Sequence, residues 1–573
     1  MKVVIVGGVA AGASCAARLR RLDEQAEIVM IERSGFVSYA NCGLPYYVGG
    51  EIQNKSALTL QTPKSFLTRF CIDARVNQEV VSINRKQKCV TVKKLQTQEI
   101  YDETYDKLVL CPGAKPVVPQ FSCGVHPQVF TLRTVEDAFK MEEFITKNQP
   151  QNAVIVGAGF IGLEMAENLM RRKMHVTVVE KALQVMAPLD EDMAQIVHTK
   201  LKEKGVVLKL GTAVKDIFAQ AEELKIALDN QDTIKADMVV LAIGIAPDST
   251  LAQQAGLALG VRGTIAVNPH MQTSDEDIFA AGDAVQVHNS VSDALTQIPL
   301  AGPANRQGRL IADVIAGKKD SYEGAQGSSI LKLFEMTIAT TGLNEKTAKQ
   351  ANKIYECIIL PTAASHATYY PGAENMVLKV LFETSSGKVL GAQVIGGQGA
   401  DKRMDILATA VQAGLTSKQL AGLDLCYAPP FGSAKDPVNI AGNVMENIRK
   451  GLVKQWYTLQ QPANDKDAVL LDVRTPEEYA QGAFAGSINI PLDTLRDNLD
   501  KLDKNKHYYV NCVSALRSYL ACRILSQNGL TCYNFAGGYR YYQLTNPNGP
   551  ENKTEDKGTL TACGMGGACT AEK

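Results

Sequence analysis

The stretch Ala153-Val154-Ile155-Val156-Gly157-Ala158-Gly159-Phe160-Ile161-Gly162-Leu163-Glu164 places a complete G-x-G-x-x-G turn between a β-branched run and a helix start. His175-Val176-Thr177-Val178-Val179 follows and closes on Glu180, eighteen residues beyond Gly162. A strand, a glycine turn, a helix and a second strand ending in an acid together hold a dinucleotide. The pyrophosphate rests on the helix N-terminus and the acid bonds a ribose. Glu180 bonds a 2′-hydroxyl and repels a 2′-phosphate, which favours NADH, while Lys181 beside it leaves NADPH open.

The same grammar opens the chain. Val3-Val4-Ile5-Val6 runs into Gly7-Gly8-Val9-Ala10-Ala11-Gly12, and Glu27 to Ile31 reads as a second strand ending at Glu32. Gly7 and Gly12 stand, but Val9 holds the middle glycine's place, so the turn alone also fits a plain strand–helix core unit. Glu32, twenty residues after Gly12, favours the nucleotide reading. Next comes Ser38-Tyr39-Ala40-Asn41-Cys42-Gly43-Leu44-Pro45-Tyr46-Tyr47, expected as a turn that Gly43 and Pro45 keep from becoming helix. Cys42 therefore reads as a redox thiol beside a bound cofactor. The helix after Gly12 carries Arg18, Arg20 and Arg21. They form either a solvated face or, through Arg18 and Arg21 one turn apart, a phosphate grip.

Composition narrows the class. A chain of 573 residues needs about three or four domains. Sixty basic and sixty acidic residues cancel and no long basic block occurs, which argues against nucleic acid as a partner. No apolar run reaches the ~18–20 residues that span a bilayer, so no membrane role is expected. The N-terminus enters a strand at once, without a charged leader, which reads as cytoplasmic. Thirteen scattered cysteines suit reduced thiols, most of them packed as small apolar residues.

Thr273 to Ala284 contains Ala281-Gly282-Asp283. With two fingerprints in order, the chain from Met1 to about Asn447 resembles the two-dinucleotide-binding flavoprotein disulfide reductases. The resemblance implies FAD on the first site, contacted by Asp283 at its ribityl chain, and NADH or NADPH on the second. Members like glutathione reductase carry C-x4-C; here the position five after Cys42 is Tyr47. The pattern Ser-x-x-Asn-Cys-x-Leu-Pro-Tyr resembles the single-cysteine branch of coenzyme A disulfide reductases, NADH oxidases and NADH peroxidases. Peroxide-handling members place a histidine in the first glycine turn, and Gly8 to Gly12 has none. The coenzyme A branch implies that Ser14, Arg18, Arg21, Ser38 and Asn41 hold coenzyme A. A further basic contact of that branch falls near Phe70, with Arg69 alongside. From about Tyr322 to Arg449 the resemblance implies a dimerisation domain that completes the active site across a homodimer. Tyr369 and Tyr427 match its phenol groups and Lys435 its coenzyme A-contacting lysine, with buried core aromatics the alternative for the two tyrosines.

After Gln460 to Asp465, Asp472-Val473-Arg474, Glu478-Tyr479, Asn489-Ile490-Pro491, Cys512-x4-Arg517 and Gly537-Gly538-Tyr539 follow in order. This part resembles a rhodanese (sulfurtransferase) domain. Backbone N–H groups and Arg517 are expected to lower the Cys512 thiol pKa and stabilise a persulfide there.

The fold class is thus α/β: two Rossmann-like domains, an α+β dimerisation domain and a C-terminal α/β rhodanese domain. Expected boundaries are 1–112 with 237–321 for FAD, 113–236 for NAD(P), 322–449 for dimerisation, 450–464 as linker, 465–546 for the rhodanese and 547–573 as a flexible tail carrying Cys563 and Cys569. The expected activity is NAD(P)H-driven reduction of coenzyme A disulfide, coenzyme A persulfide or polysulfide at Cys42, with sulfane sulfur handled by Cys512. No metal site is expected. The alternatives are an NADH oxidase or peroxidase using a cysteine sulfenic acid, and a redox-sensing sulfur-trafficking protein with little turnover.

Overall fold

The apolar runs flanking each glycine turn become the central strands of parallel sheets, because strands covered on both faces must be apolar throughout. The computed structural model describes residues 1–220 and 223–547. It divides into two units, one of residues 1–186 and 201–327, the other of 187–200 and 328 onward.

The first unit contains the same architecture twice. One parallel sheet has the order Ile278–Ala280, Lys107–Leu110, Lys2–Val6, Glu27–Ile31, Asp73–Arg75. The other runs Val207–Leu210, His175–Glu180, Asn152–Val156, Met238–Leu241, Val129–Phe130. Each has an antiparallel three-stranded companion: Gln78–Asn84, Cys89–Lys94 and Ile100–Thr104 for the first, and Val214–Gln220, Glu223–Leu228 and Thr233–Ala236 for the second. Met238–Leu241, expected in the first module from residue 237, instead pairs in register with Asn152–Val156. The crossover therefore lies just beyond it, where Ala114–Pro116 pairs antiparallel with Ile245–Pro247.

In the second unit a five-stranded antiparallel sheet has the order Ser329–Leu333, Met336–Gly342, Val389–Gly396, Asn375–Glu383, Tyr355–Ala364. Helix Ala400–Gln412 packs on it. Lys379, in the middle of Asn375–Glu383, is only 1% exposed, and its ammonium meets Asp190 at 3.0 Å, Asp192 at 2.7 Å and Glu345 at 2.6 Å. The three carboxylates converge as metal ligands would, with a lysine cation among them.

The same unit ends in a parallel sheet ordered Gln455–Trp456, Thr531–Phe535, His507–Asn511, Ala468–Asp472, Ile488–Asn489. The expected linker 450–464 is thus partly structural. Gln455–Trp456 is an edge strand, Gln460–Ala463 is helical, and Trp456 is fully buried against Phe484, Tyr509 and Phe535. A buried aromatic side chain gains too much from leaving water for its segment to remain a spacer. The positions of the expected tail from 548 on, Cys563 and Cys569 included, lie outside the described residues. Among the described residues no helix is long and apolar enough to cross a membrane.

Candidate active site

The two glycine turns are built by one set of bonds. Gly7 N–H donates to the Ile31 carbonyl at 2.9 Å and Gly157 N–H to the Val179 carbonyl at 2.8 Å. Glu32 accepts from the N–H groups of Gly8 (2.8 Å) and Ser34 (2.9 Å); Glu180 accepts from those of Ala158 and Ala182, both at 2.8 Å. Each carboxylate is thereby fixed at its strand end with lone pairs left for ribose hydroxyls. Gly7 and Gly157 have φ of +97° and +106°, and a Cβ at either would lie 2.1–2.2 Å from a carbonyl oxygen of the neighbouring strand's end. At Gly159 a Cβ would meet nothing within 4 Å, the open approach a phosphate needs. A cavity of about 250 Å³ beside Gly7 and Glu32 is lined by Arg33, Lys115 and Asp248. Both turns fit a dinucleotide.

The Cys42 stretch departs from expectation in one respect. Asn41–Gly43 is a 3₁₀ turn, and Leu44–Val48 is a short α-helix with Pro45 in its first turn. Proline is tolerated there because the first N–H groups of a helix have no partner inside it. This helix packs on Phe160–Arg171, the helix of the second fingerprint. The Arg172 guanidinium donates to the Val48 carbonyl at 2.8 Å, and Arg171 pairs with Glu51 at 3.1 Å. The thiol's turn is thus anchored to both nucleotide modules. Ser38, at φ +48°, donates its N–H to the Gly8 carbonyl at 2.8 Å, which ties the stretch to the first glycine turn.

Cys42 is exposed. The protein packed around its sulfur nevertheless pushes the thiol pKa up; Glu164 and Asp283 add to this and Arg133 opposes it. Glu164, in the fingerprint helix, is itself pushed up to about 7 by burial, against a 3.4 Å hydrogen bond from the Tyr46 hydroxyl. Asp283 is raised by burial, and its carboxylate lies 3.9 Å from the Arg133 guanidinium. In the orientation that satisfies both ends of its amide, Asn41 donates to the Arg133 carbonyl at 2.8 Å and accepts from the Arg133 guanidinium. Arg133 and Glu164 are thus site residues that the sequence analysis did not single out. Arg133 carries no local signal; Glu164 stood in the fingerprint itself.

The three arginines of helix Ala10–Leu22 have separate fates. Arg20 is buried and donates to the carbonyls of Asp23, Glu24, Ala26, Phe70 and Cys71, pinning the following strand. Arg21 is exposed. Arg18 is paired with Asp313 at 2.7 Å, which Lys318 also meets at 2.8 Å, so it is neither a solvated face nor an unengaged phosphate grip. Ser14 donates to the Asn305 side chain at 2.5 Å, bringing helix Ala301–Ile315 to the same surface.

In the second unit Tyr369 and Tyr427 are 73% and 47% exposed, and their hydroxyls lie 2.7 Å apart. The core-aromatic alternative fails. Lys435 is exposed immediately before helix Pro437–Arg449, whose capping Asp436 is held by buried Arg403 at 2.8 Å. Cys426, beside Tyr427, is also exposed.

Cys512 is buried at the end of strand His507–Asn511, and the Ser518 hydroxyl donates to its sulfur at 3.3 Å. The loop behind it is cradled by backbone: Tyr539 N–H donates to the Cys512 carbonyl at 2.7 Å and Arg540 N–H to that of Val513 at 3.1 Å. A Cβ at Gly538 would press within 2.6–2.8 Å of that loop's backbone. Arg474 grips Asp472 at two points and stacks over the Tyr539 ring at 4.3 Å. Arg517, expected to act on the sulfur, instead commits both terminal nitrogens to Glu478 at 2.8 Å each.

Comparison with known proteins agrees with this geometry. Residues 1–308 match the family model for pyridine nucleotide-disulphide oxidoreductases, 328–437 that of their dimerisation domain, and 456–545 the rhodanese-like domain. A coenzyme A disulfide reductase of Staphylococcus aureus is 34% identical over 448 residues, 77% of this chain and 99% of that protein. The crystal structure of reduced Bacillus anthracis CoADR-RHD superposes with a TM-score of 0.93 at 47% identity, covering 95% of this chain and 98% of that one. The structure of an NAD-dependent persulfide reductase from A. fulgidus gives 0.88 at 38%, covering 95% and 100%. With two matching dinucleotide turns, an exposed thiol between them and a cradled second cysteine, the chain belongs to the pyridine nucleotide-disulphide oxidoreductase family, in its coenzyme A disulfide reductase branch, with a rhodanese domain at its C-terminal end.

Proposed function

We propose that this enzyme uses NAD(P)H to reduce coenzyme A disulfide, coenzyme A persulfide or polysulfide at Cys42, and that Cys512 carries sulfane sulfur. The observation that carries the reading is the exposed Cys42 on a turn anchored to both fingerprint modules, with Asp283 and Arg133 beside it. Bound flavin supplies the two-electron link between NAD(P)H and sulfur. Around it, Gly7, Gly12, Glu32 and Asp283 hold the flavin dinucleotide, and Gly157, Gly159, Gly162 and Glu180 the nicotinamide one.

The protein's own groups keep Cys42 protonated, since burial and two carboxylates outweigh Arg133. A nucleophilic thiolate therefore depends on the loaded site. Ser14, Arg18, Arg21, Ser38, Asn41 and Lys435 are the proposed contacts to coenzyme A; Asn305, bonded to Ser14, belongs with them. Tyr369 and Tyr427, with their hydroxyls already paired, suit donation to a sulfur leaving group, each from the partner subunit of a homodimer.

Mass spectrometry of the denatured, unreduced protein tests the reading first. Coenzyme A in disulfide linkage to the Cys42 peptide is expected, and Cys42→Ser should abolish NAD(P)H-coupled disulfide reduction while flavin reduction persists. A Cys42 carrying only oxygen, with oxygen or peroxide turnover matching sulfur turnover, overturns it in favour of the oxidase reading.

A further inference from the structure

Between Cys512 and Arg517 the loop reads Val513-Ser514-Ala515-Leu516, uncharged throughout, and Leu516 is 43% exposed. The loop's own cation, Arg517, is held end-on by Glu478 through two hydrogen bonds of 2.8 Å. Glu478 is placed for this by its own helix. It sits at the third position after the cap Thr475, accepts from the Thr475 N–H at 2.9 Å, and donates its N–H to the Thr475 hydroxyl. Arg474, the next cation along that segment, is committed to Asp472 and to the Gly482 carbonyl at 2.7 Å. Both positive charges are therefore neutralised by partners fixed within the fold rather than left for a substrate.

Reacting as a thiolate, Cys512 itself brings one negative charge to the sulfur. A second charge, one bond further out, meets the uncharged loop Val513 to Leu516, whose Arg517 is already paired. We propose that Glu478 sets the donor specificity of this site: by holding Arg517 it disfavours dianionic sulfane donors such as thiosulfate and selects persulfides whose charge lies away from the reacting sulfur. The inference rests on the reading of Cys512 as a sulfur carrier. In the step concerned, the Cys512 thiolate attacks the terminal sulfur of R–S–SH. A sulfur–sulfur bond forms to Cys512, the donor's own sulfur–sulfur bond breaks, the proton stays on the transferred sulfur, and RS⁻ leaves. With thiosulfate the same attack expels sulfite, which must carry two charges out past that loop.

The test loads the intact enzyme, without NAD(P)H, with either thiosulfate or glutathione persulfide. The mass gain of one sulfur on the Cys512 peptide is followed against time. Glutathione persulfide should load Cys512 at least about tenfold faster than thiosulfate, and Glu478→Gln should raise the thiosulfate rate by about tenfold while changing the persulfide rate less than about threefold. Leu516→Lys, which adds a cation at an exposed position and leaves the pair intact, should move the ratio the same way, and it decides the matter if Glu478→Gln fails to fold. Equal loading of the natural enzyme by both donors, or a ratio unmoved by both variants, overturns the proposal. Absence of sulfur on Cys512 from either donor overturns the carrier reading instead.

Discussion

Lys379→Met removes a buried ammonium bonded to three converging carboxylates. The ammonium lies 2.6–3.0 Å from Glu345, Asp192 and Asp190, and Asp190 is further tied to Gln393 at 2.6 Å and to the Glu345 N–H at 2.8 Å. Deleting one partner of a buried ion pair costs about 3–5 kcal/mol because the remaining charge has lost its compensation. With an m-value of about 2–3 kcal/mol/M, the urea midpoint should fall by about 1–2.5 M. The assay is the fluorescence of Trp456, the chain's single tryptophan, which lies buried in the same unit. Bound flavin reports the other unit separately.

The pH dependence has a definite sign. Burial holds the Asp190 carboxyl above its ordinary range even though Lys379 opposes this. An acid raised on folding takes up a proton, so its contribution to stability falls as pH rises through the interval between its unfolded and folded values. Removing Lys379 pushes that interval upward. The Lys379 ammonium is itself held well above its usual range, so at pH 8 its contribution is fully present in the natural enzyme. The deficit of the variant should be largest near pH 8 and shrink towards pH 5, and Glu345→Gln added to Lys379→Met should recover part of it. Coincident Trp456 transitions at pH 8, or a deficit that grows on acidification, would refute the reasoning.

Glu164→Gln should lower the pH midpoint for alkylation of Cys42, because the carboxylate that ionises near 7 and raises the thiol is gone; an unchanged or higher midpoint removes Glu164 from the site. Gly162→Ala would place a methyl 2.1 Å from the Gly157 carbonyl oxygen, so NAD(P)H reduction of the flavin should fall by at least about tenfold. The flavin spectrum should stay normal, and full retention of NAD(P)H reduction would show that the second turn is not the nicotinamide site. Glu180→Gln loses one of two N–H acceptors and the negative charge facing a 2′-phosphate, so the NADPH-to-NADH ratio of kcat/KM should rise. A ratio that stays put in steady-state kinetics argues against Glu180 as the ribose ligand.

What the sequence determined by itself was local and periodic. Glycines that must approach a carbonyl, acids that must end a strand and β-branched runs that must be buried on both faces leave fixed spacings, and Gly157 to Glu180 carries all three. The order Asp472, Arg474, Cys512 and Arg517 marked the second cysteine loop for the same reason. The tertiary structure decided what depends on partners distant in the chain. Arg18, Arg20 and Arg21 look alike in sequence, yet one pairs with Asp313, one pins carbonyls of Phe70 and Cys71, and one faces solvent. Arg133 reaches Asn41 and Asp283 from ninety-two and one hundred and fifty residues away. Trp456 turned part of an apparent linker into an edge strand by burying itself among Phe484, Tyr509 and Phe535. Arg517 was legible as the loop's cation, but not that Glu478 holds it. Charge pairing is a matter of distance, and only the fold brings an acid from another helix's first turn to within 2.8 Å of the cysteine loop's arginine.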